Sequence, residues 1–173
     1  MINKKIGNIL LSEQISSGGF GIIYSGIDTV LKRKVAVKVI DPKLSDDQEI
    51  LAIFKQEAIS HAQMNHPNIV SVYHFDTFES TYYIVFEFVE GQSLKDLILE
   101  KKRVPLNPGI HYIRQMLRGL HFAHSRNFVH FDIKPANILI TGFDFVKIID
   151  FGISALFGKS SSIPESQWYG TPS

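Results

Sequence analysis

His130-Phe131-Asp132-Ile133-Lys134-Pro135-Ala136-Asn137, followed downstream by Asp150-Phe151-Gly152, is the densest chemical stretch of this chain. It gathers a carboxylate, a cation, a carboxamide and a second carboxylate around two short strand-like runs, Ile138 to Ile140 and Phe145 to Ile149. Loops carried on a rigid scaffold are where reactive groups are usually put. By itself, Asp132 reads equally well as an Asx-turn or helix-cap residue.

Upstream, the first forty residues hold three strand-like runs: Ile9 to Ser16, Gly21 to Ile27, and Lys34 to Ile40. In the last, Val35, Val37 and Val39 alternate with Lys34, Ala36 and Lys38. Between the first two lies Ser17-Gly18-Gly19-Phe20-Gly21, where missing Cβ atoms let backbone N–H groups approach phosphate oxygens. Tyr24 occupies the third-glycine place of a Rossmann fingerprint, and Ile27 the lysine place of a Walker loop, so both of those readings fail. A glycine hairpin with no ligand stays open for the segment alone. Lys38 points to the same face as Ala36. Glu57 follows Phe54 by one turn on a helix that Ser45 and Gln48 open as a capping box, and that Ile50, Phe54, Ala58 and Ala62 carry to about Asn65. It could hold the Lys38 ammonium, although as a surface pair the two would contribute under about 1 kcal/mol.

His66-Pro67-Asn68 breaks that helix, and two more strand-like runs follow, Ile69 to Phe78 and Thr81 to Val89. Beyond Gly91 the chain becomes helix-led. Ser93 caps a short helix, and Asn107-Pro108 opens a longer one with Ile113, Leu117, Leu120 and Ala123 as its apolar side. A boundary near Val89 to Gly91 would divide a strand-rich lobe from a helical one.

The glycine turn, Val35-Ala36-Val37-Lys38, the helix glutamate, His-x-Asp-x-Lys-x-x-Asn and Asp-Phe-Gly stand in the order and spacing of the protein kinase signature set. From about Ile9 to Pro172 the sequence resembles a eukaryotic-like serine/threonine protein kinase domain. Lys134-Pro135 and Gly170-Thr171-Pro172 look like the serine/threonine branch, and Asp132 to Ile140 is similar to bacterial members. The resemblance implies an α+β, two-lobed fold over residues 9–173, preceded by an N-terminal extension, 1–8. The small lobe, 9–89, would be a five-stranded antiparallel sheet plus one helix, and the large lobe, 90–173, helical and incomplete.

Residue by residue, the resemblance makes Asp132 the catalytic base and Lys134 a steadying cation for the transferred phosphoryl group. Asn137 and Asp150 would hold Mg2+. Lys38, positioned by Glu57, would grip the phosphates of ATP. Ile15, Ile23, Ala36 and Leu139 would sandwich the adenine, the backbone of Glu87 and Val89 would bond its edge, and Ser16, Ser17, Gly18, Gly19, Phe20 and Gly21 would cover the phosphates. Phe86 would be the gatekeeper. The implied cofactors are ATP and Mg2+, and the implied partner is a protein substrate bearing Ser or Thr.

Three departures stand out. Ser16 replaces the first glycine of the loop, and Phe131 replaces the arginine that in most members pairs with an activation-loop phosphate. Activity is therefore expected not to depend on phosphorylation between Asp150 and Thr171, despite hydroxyls at Ser154, Ser160, Ser161, Ser162, Ser166 and Thr171. The chain also stops at Ser173, before the expected Ala-Pro-Glu segment, which reads as a fragment of a longer kinase or a truncated gene product. Apolar faces of Asn107 to Ser125 are then expected to be exposed.

Composition sets the remaining bounds. With 173 residues, 45% of them hydrophobic, the chain has the apolar content of one globular domain. A net charge of +1 gives no general pull toward nucleic acid or anionic membrane. The absence of cysteine excludes disulfides, thiolate zinc sites and a cysteine nucleophile. No secretory signal is evident, and the apolar run Tyr82 to Phe86 is far short of the roughly 20 residues that span a bilayer. The expected location is the cytoplasm, with a possible membrane anchor in a missing C-terminal part. The histidines, including His61, His66, His121 and His124, lack the His-Glu-x-x-His arrangement and are expected to be structural. The competing functional readings are a nucleotide-binding or scaffolding pseudokinase, a catalytically incomplete fragment, and a small-molecule phosphotransferase. Presence of Lys38, Asp132, Asn137 and Asp150 argues against the first, and Asp150-Phe151-Gly152 with Lys134-Pro135 against the last.

Overall fold

The computed structural model describes residues 1–18, 21–45 and 47–151. Gly19, Phe20, Gly152, and every hydroxyl residue named above between Asp150 and Thr171 lie outside them. The chain divides into two compact units, 1–63 with 71–88, and 64–70 with 89–173. The segment Met64–Val70 thus belongs with the second unit, although a single cut near Val89 would place it in the first.

In the first unit an antiparallel sheet runs β1 (Lys5–Ile6), β2 (Ile9–Gly18), β3 (Gly21–Asp28) and β4 (Arg33–Ile40), followed by β6 (Thr81–Glu87) and then β5 (Val72–Phe78) at the far edge. It has six strands and not the expected five, because Lys5 and Ile6 pair with Leu10 and Ile9 across a short turn. Strict alternation on β4 sends Val35, Val37 and Val39 to one face, where they are buried with Ile9, Leu11, Tyr24 and Val85. Ala36 and Lys38 take the opposite face.

That second face is covered by α1 (Gln48–Ala62). The helix begins with Asp47 as its cap, whose carboxylate accepts from the N–H groups of Glu49 and Ile50; the expected Ser45–Gln48 box starts two residues too early. Phe54 is fully buried, its ring 6.2 Å from that of Phe75 on β5. Glu57, Ala58 and His61 share the buried side, which keeps a carboxylate on the inward stripe of the helix.

The second unit joins a three-stranded sheet, β7 (Gly91–Ser93), β8 (Ile138–Thr141) and β9 (Val146–Ile148), to two helices, α2 (Leu94–Lys101) and α3 (Leu106–His124). Ser93 caps α2 as expected, accepting from the Asp96 N–H. On α3 the buried positions are Tyr112, Gln115, Gly119 and Ala123; of the expected apolar side Ala123 is buried and Leu120 packs against the core, while Ile113 and Leu117 are exposed, in line with the exposed apolar face expected for Asn107 to Ser125. Gln115 is a buried polar hub, whose amide oxygen accepts from Val146 N–H and from the Asn68 side chain. Facing inward, it satisfies both of these groups.

Asn68, read from sequence only as a helix breaker, is a cross-brace. Its side chain also donates to Val146 O at 2.9 Å, and its carbonyl accepts from Ile148 N–H at 2.9 Å. This ties 64–70 to the strands β8 and β9 that follow the His130 to Asn137 stretch, over a core of Met64, Ile69, Leu97, Ile138, Ile148 and Phe151.

Candidate active site

In the first unit, register fixes the candidate nucleotide residues before any side-chain contact is considered. Lys38 pairs with Ile23 on β3 and with Ile84 on β6, while Ala36 pairs with Phe86. Directly opposed residues share a sheet face, so Ile23, Ala36, Lys38 and Phe86 lie on one side. Lys38 Nζ reaches both carboxylate oxygens of Glu57, at 2.7 and 2.9 Å. The Glu57 side chain has no exposure and that of Lys38 is 14% exposed. This is a buried, two-point ion pair and not the weak surface pair first considered, so removing one partner strands a charge.

Phe86 is buried, and its ring stands edge-on to His61 at 5.8 Å. Glu87 donates its N–H to Ser71 O at 2.9 Å, while its carboxylate accepts from Ser71 N–H at 3.2 Å. Ile15 is half exposed, and Ser16, Ser17 and Gly18 are exposed at the end of β2. A Cβ on Gly18 would meet nothing within 4 Å, whereas one on Gly21 would lie 2.2 Å from Val39 O. Gly21 is therefore required by strand packing, and Gly18 is the glycine with open space beside it.

In the second unit the loop between α3 and β8 folds on itself. His130 is buried; its Nδ1 accepts from Asp132 N–H at 3.3 Å, which leaves Nε2–H to donate to Ile149 O at 3.0 Å. Burial holds its pKa below the usual histidine value, against the opposing pull of the Ile149 carbonyl and the Asp132 and Asp150 carboxylates. The neutral tautomer this bonding requires is thus the favoured one. Phe151 packs against the same ring, with centroids 4.6 Å apart.

Asp132, Lys134 and Asn137 are brought together. Lys134 Nζ lies 2.8 Å from Asp132 Oδ2, and Asn137 Nδ2 donates both to that oxygen at 3.1 Å and to the Asp132 carbonyl at 2.9 Å. A single turn of 3₁₀-helix, Pro135–Asn137, makes the approach possible by carrying Asn137 back beneath the aspartate. Asp150 is tied to the same assembly through its neighbour, because Ile149 N–H donates to Asn137 O at 3.0 Å. Asp150 and Phe131 both have positive φ, 52° and 60°, a conformation non-glycine residues hold only when their surroundings enforce it. Leu139, on β8, pairs with Ser93 and Lys147. The bracing by the Ile149 backbone was not readable from sequence, since a carbonyl leaves no residue-type signal.

Among the described residues no group of three or more His, Cys, Asp or Glu side chains forms a metal cluster. The oxygen donors available near the loop are Asp150 and the Asn137 carboxamide, whose nitrogen is already engaged with Asp132. Magnesium commonly takes one or two carboxylates and completes its shell with water and phosphate oxygens, so this donor set fits that ion.

A lysine anchored by a buried helix carboxylate in one unit, with an Asp–Lys–Asn loop and a following Asp-Phe in the other, defines the class as a protein kinase domain. The family model described as protein kinase domain matches residues 10–173, and the chain belongs to that family. It is 39% identical over 161 residues to a Clostridium acetobutylicum protein named as a probable serine/threonine-protein kinase, covering 90% of this chain and 24% of that protein. Serine/threonine-protein kinase PrkC of Bacillus subtilis is 36% identical over 164 residues, covering 93% of this chain and 25% of its own. For serine/threonine-protein kinase PknA of Mycobacterium tuberculosis the identity is 38% over 153 residues, 86% of this chain and 36% of that one. The chain thus spans about a quarter to a third of the length of these relatives. None of the described helices is long and apolar enough to cross a membrane.

Proposed function

We propose that this chain carries the phosphotransfer residues of a serine/threonine protein kinase, moving the γ-phosphoryl group of Mg·ATP to a protein Ser or Thr hydroxyl. The observation that carries the reading is the Asp132 carboxylate, fixed by Lys134 Nζ and Asn137 Nδ2 within one loop. Such a carboxylate is oriented and partly exposed, as a base that must meet a substrate needs to be.

The substrate hydroxyl oxygen attacks the γ-phosphorus and its proton passes to Asp132. The bond from that phosphorus to the bridging oxygen of the β-phosphate breaks, and ADP leaves with the electron pair. Lys134, bonded to the same carboxylate, offsets charge on the moving phosphoryl group. Lys38, held by Glu57, holds the α- and β-phosphates, and the turn at Ser16–Gly21 covers them. Ile15, Ile23, Ala36 and Leu139 enclose the adenine, with the Glu87 carbonyl and Val89 N–H on its edge and Phe86 narrowing the space behind it. Asn137 and Asp150 hold magnesium, which when bound neutralises charge shared among the phosphate oxygens. The nucleotide and metal requirement suits a domain facing the cytoplasm.

The test is transfer of labelled γ-phosphate to a generic protein substrate by this chain and by Asp132→Asn, together with thermal unfolding with and without Mg·ATP. Nucleotide-dependent stabilisation of both proteins is expected, with transfer by the unsubstituted chain alone. Stabilisation without transfer in either would leave a nucleotide-binding module in place of an enzyme.

A further inference from the structure

His61 and His130 are the two nearly inaccessible histidines among the described residues, each 1% exposed. The His130 ring is spent on the Asp132 N–H and the Ile149 carbonyl. His61 stands in the other unit, on the inward side of α1, one turn after Glu57. The phosphotransfer scheme makes no use of it.

The surroundings of His61 are those of a core side chain. The inward stripe of α1 is Phe54, Glu57, Ala58 and His61, and the imidazole stands edge-on to the Phe86 ring, with centroids 5.8 Å apart and planes at 89°. A leucine would fill such a place without bringing polar nitrogens into a region of low dielectric, where burying them costs free energy. Packing alone therefore does not account for an imidazole here. Its position also gives it a charged neighbour, because side chains four apart on a helix stand over one another, and a carboxylate N-terminal to a cation is the favourable order at that spacing. That neighbour is Glu57, whose side chain has no solvent exposure and holds Lys38 Nζ through both oxygens, at 2.7 and 2.9 Å.

Register fixes which other charges of this unit share the sheet face under α1. On β4 that face carries Ala36 and Lys38, whose Nζ is also 6.0 Å from the Phe54 ring. On β6 it carries Tyr82, Ile84 and Phe86, and on β5 Val72, Phe75 and Thr77. Of these Tyr82 alone titrates besides Lys38, and it lies beside Gln48 and Leu51 at the far end of the helix. His74 pairs with Val85 and Asp76 with Tyr83, which puts both on the opposite face. Glu49 and Lys55 of α1 itself are exposed. Among the described residues of the unit, the charges close to His61 are thus Glu57 and Lys38.

We propose that His61 is a positioning residue that acts through Glu57: its neutral form leaves both Lys38 bonds in place, and its protonated form takes one carboxylate oxygen and loosens the lysine. A carboxylate offers two oxygens, both already engaged with Lys38, so a second cation on the same helix can be served only by dividing them. Acid thereby weakens the link between β4 and α1. The consequence for a bound phosphate rests on the proposed nucleotide role of Lys38. The competition of two cations for Glu57 does not.

The test is NMR of the whole isotope-labelled chain without nucleotide, from about pH 8 to about pH 5, a span that covers the ordinary histidine range. It follows the imidazole nitrogens of His61 and the side-chain nitrogen of Lys38. The His61 ring is expected to titrate within this span, and the Lys38 Nζ signal to move with the same midpoint. In His61→Leu, which keeps an apolar side chain at the position and strands no charge, the Lys38 signal should be independent of pH. Glu57→Gln should lower the His61 midpoint by about one pH unit or more, a tenfold loss of proton affinity, because the cation then lacks its carboxylate. A histidine that only fills space gives none of these effects. No titration of His61, a Lys38 signal that ignores it, or a Lys38 signal that moves equally in His61→Leu would overturn the proposal. Because no nucleotide is present, a failure of phosphoryl transfer would count against the proposed function and leave this result standing.

Discussion

Lys38 Nζ bonds both carboxylate oxygens of Glu57, and that carboxylate has no solvent exposure. The pair joins strand β4 to α1, so geometry at the candidate phosphate grip and docking of α1 are coupled. Lys38→Met leaves a buried carboxylate without its cation and is expected to cost about 3 kcal/mol of stability. Lys38→Met with Glu57→Leu should recover most of that loss while leaving transfer abolished. Urea unfolding of the two single variants and the double variant gives the coupling energy directly. Additive losses would show that the pair contributes little.

Gly18 and Gly21 pair at the facing ends of β2 and β3 but answer to different forces. Gly21→Ala drives a Cβ against Val39 O and is expected to destabilise the first unit by about 1–3 kcal/mol, the usual range for overpacking. Gly18→Ala meets open space, so stability should be unchanged and the effect should appear as weaker nucleotide stabilisation. Thermal unfolding with and without Mg·ATP separates the two outcomes.

Lys134 offers the converse separation of rate from stability. It lies 2.8 Å from Asp132 Oδ2, but both side chains are about a third or more exposed, which limits the pair to under about 1 kcal/mol. Lys134→Ala should therefore unfold at nearly the same urea concentration as the parent and lose most of its transfer activity. A large stability loss with transfer retained would assign the lysine a structural role.

How legible these features were depends on which force wrote them. Alternation of Val35, Val37 and Val39 with Ala36 and Lys38 gave both the strand and the face of the lysine, because period-two burial is local. Asp132, Lys134 and Asn137 could be named only through the family resemblance, and one helical turn suffices to bring them together. On α3 the inward Gln115, which meets buried hydrogen-bond demand from Asn68 and Val146, was hidden, since hydrophobic periodicity carries no signal for a buried polar hub. The burial of Glu57 was equally hidden, since its position in the sequence is that of an ordinary helix glutamate. The sixth strand, Lys5–Ile6, is not legible because two residues carry too little pattern.

The buried His130 makes stability pH-dependent. Its folded-state pKa is lowered mainly by burial, so below about 6.5, the ordinary histidine value, the unfolded chain binds a proton that the folded chain resists. The stability this contributes is complete above that pH and is lost as pH falls through the lowered folded value. His66, also lowered by burial and by the Lys147 and Arg118 charges, acts in the same direction. His130→Gln keeps a donor for the Ile149 carbonyl and removes the titration. Its urea-unfolding free energy should fall less between pH 7 and pH 5 than that of the parent, which His66 still makes decline. Equal slopes would mean that His130 does not titrate in this range.

Phe131 replaces the guanidinium that the family resemblance leads one to expect beside Asp132, and the residue is 42% exposed at φ 60°. A phenyl ring cannot offer the paired N–H groups that bind a phosphate, so a phosphate on the following segment has nothing to order against at this position. Phosphatase treatment of an active preparation should leave transfer unchanged. Phe131→Arg restores the missing donor pair and should make transfer sensitive to the same treatment. Both proteins are assayed side by side before and after dephosphorylation, with mass spectrometry confirming phosphate removal. A large loss in the unsubstituted chain would show that another residue has taken over the phosphate contact, and would sever the link drawn here between Phe131 and phosphorylation-independent activity.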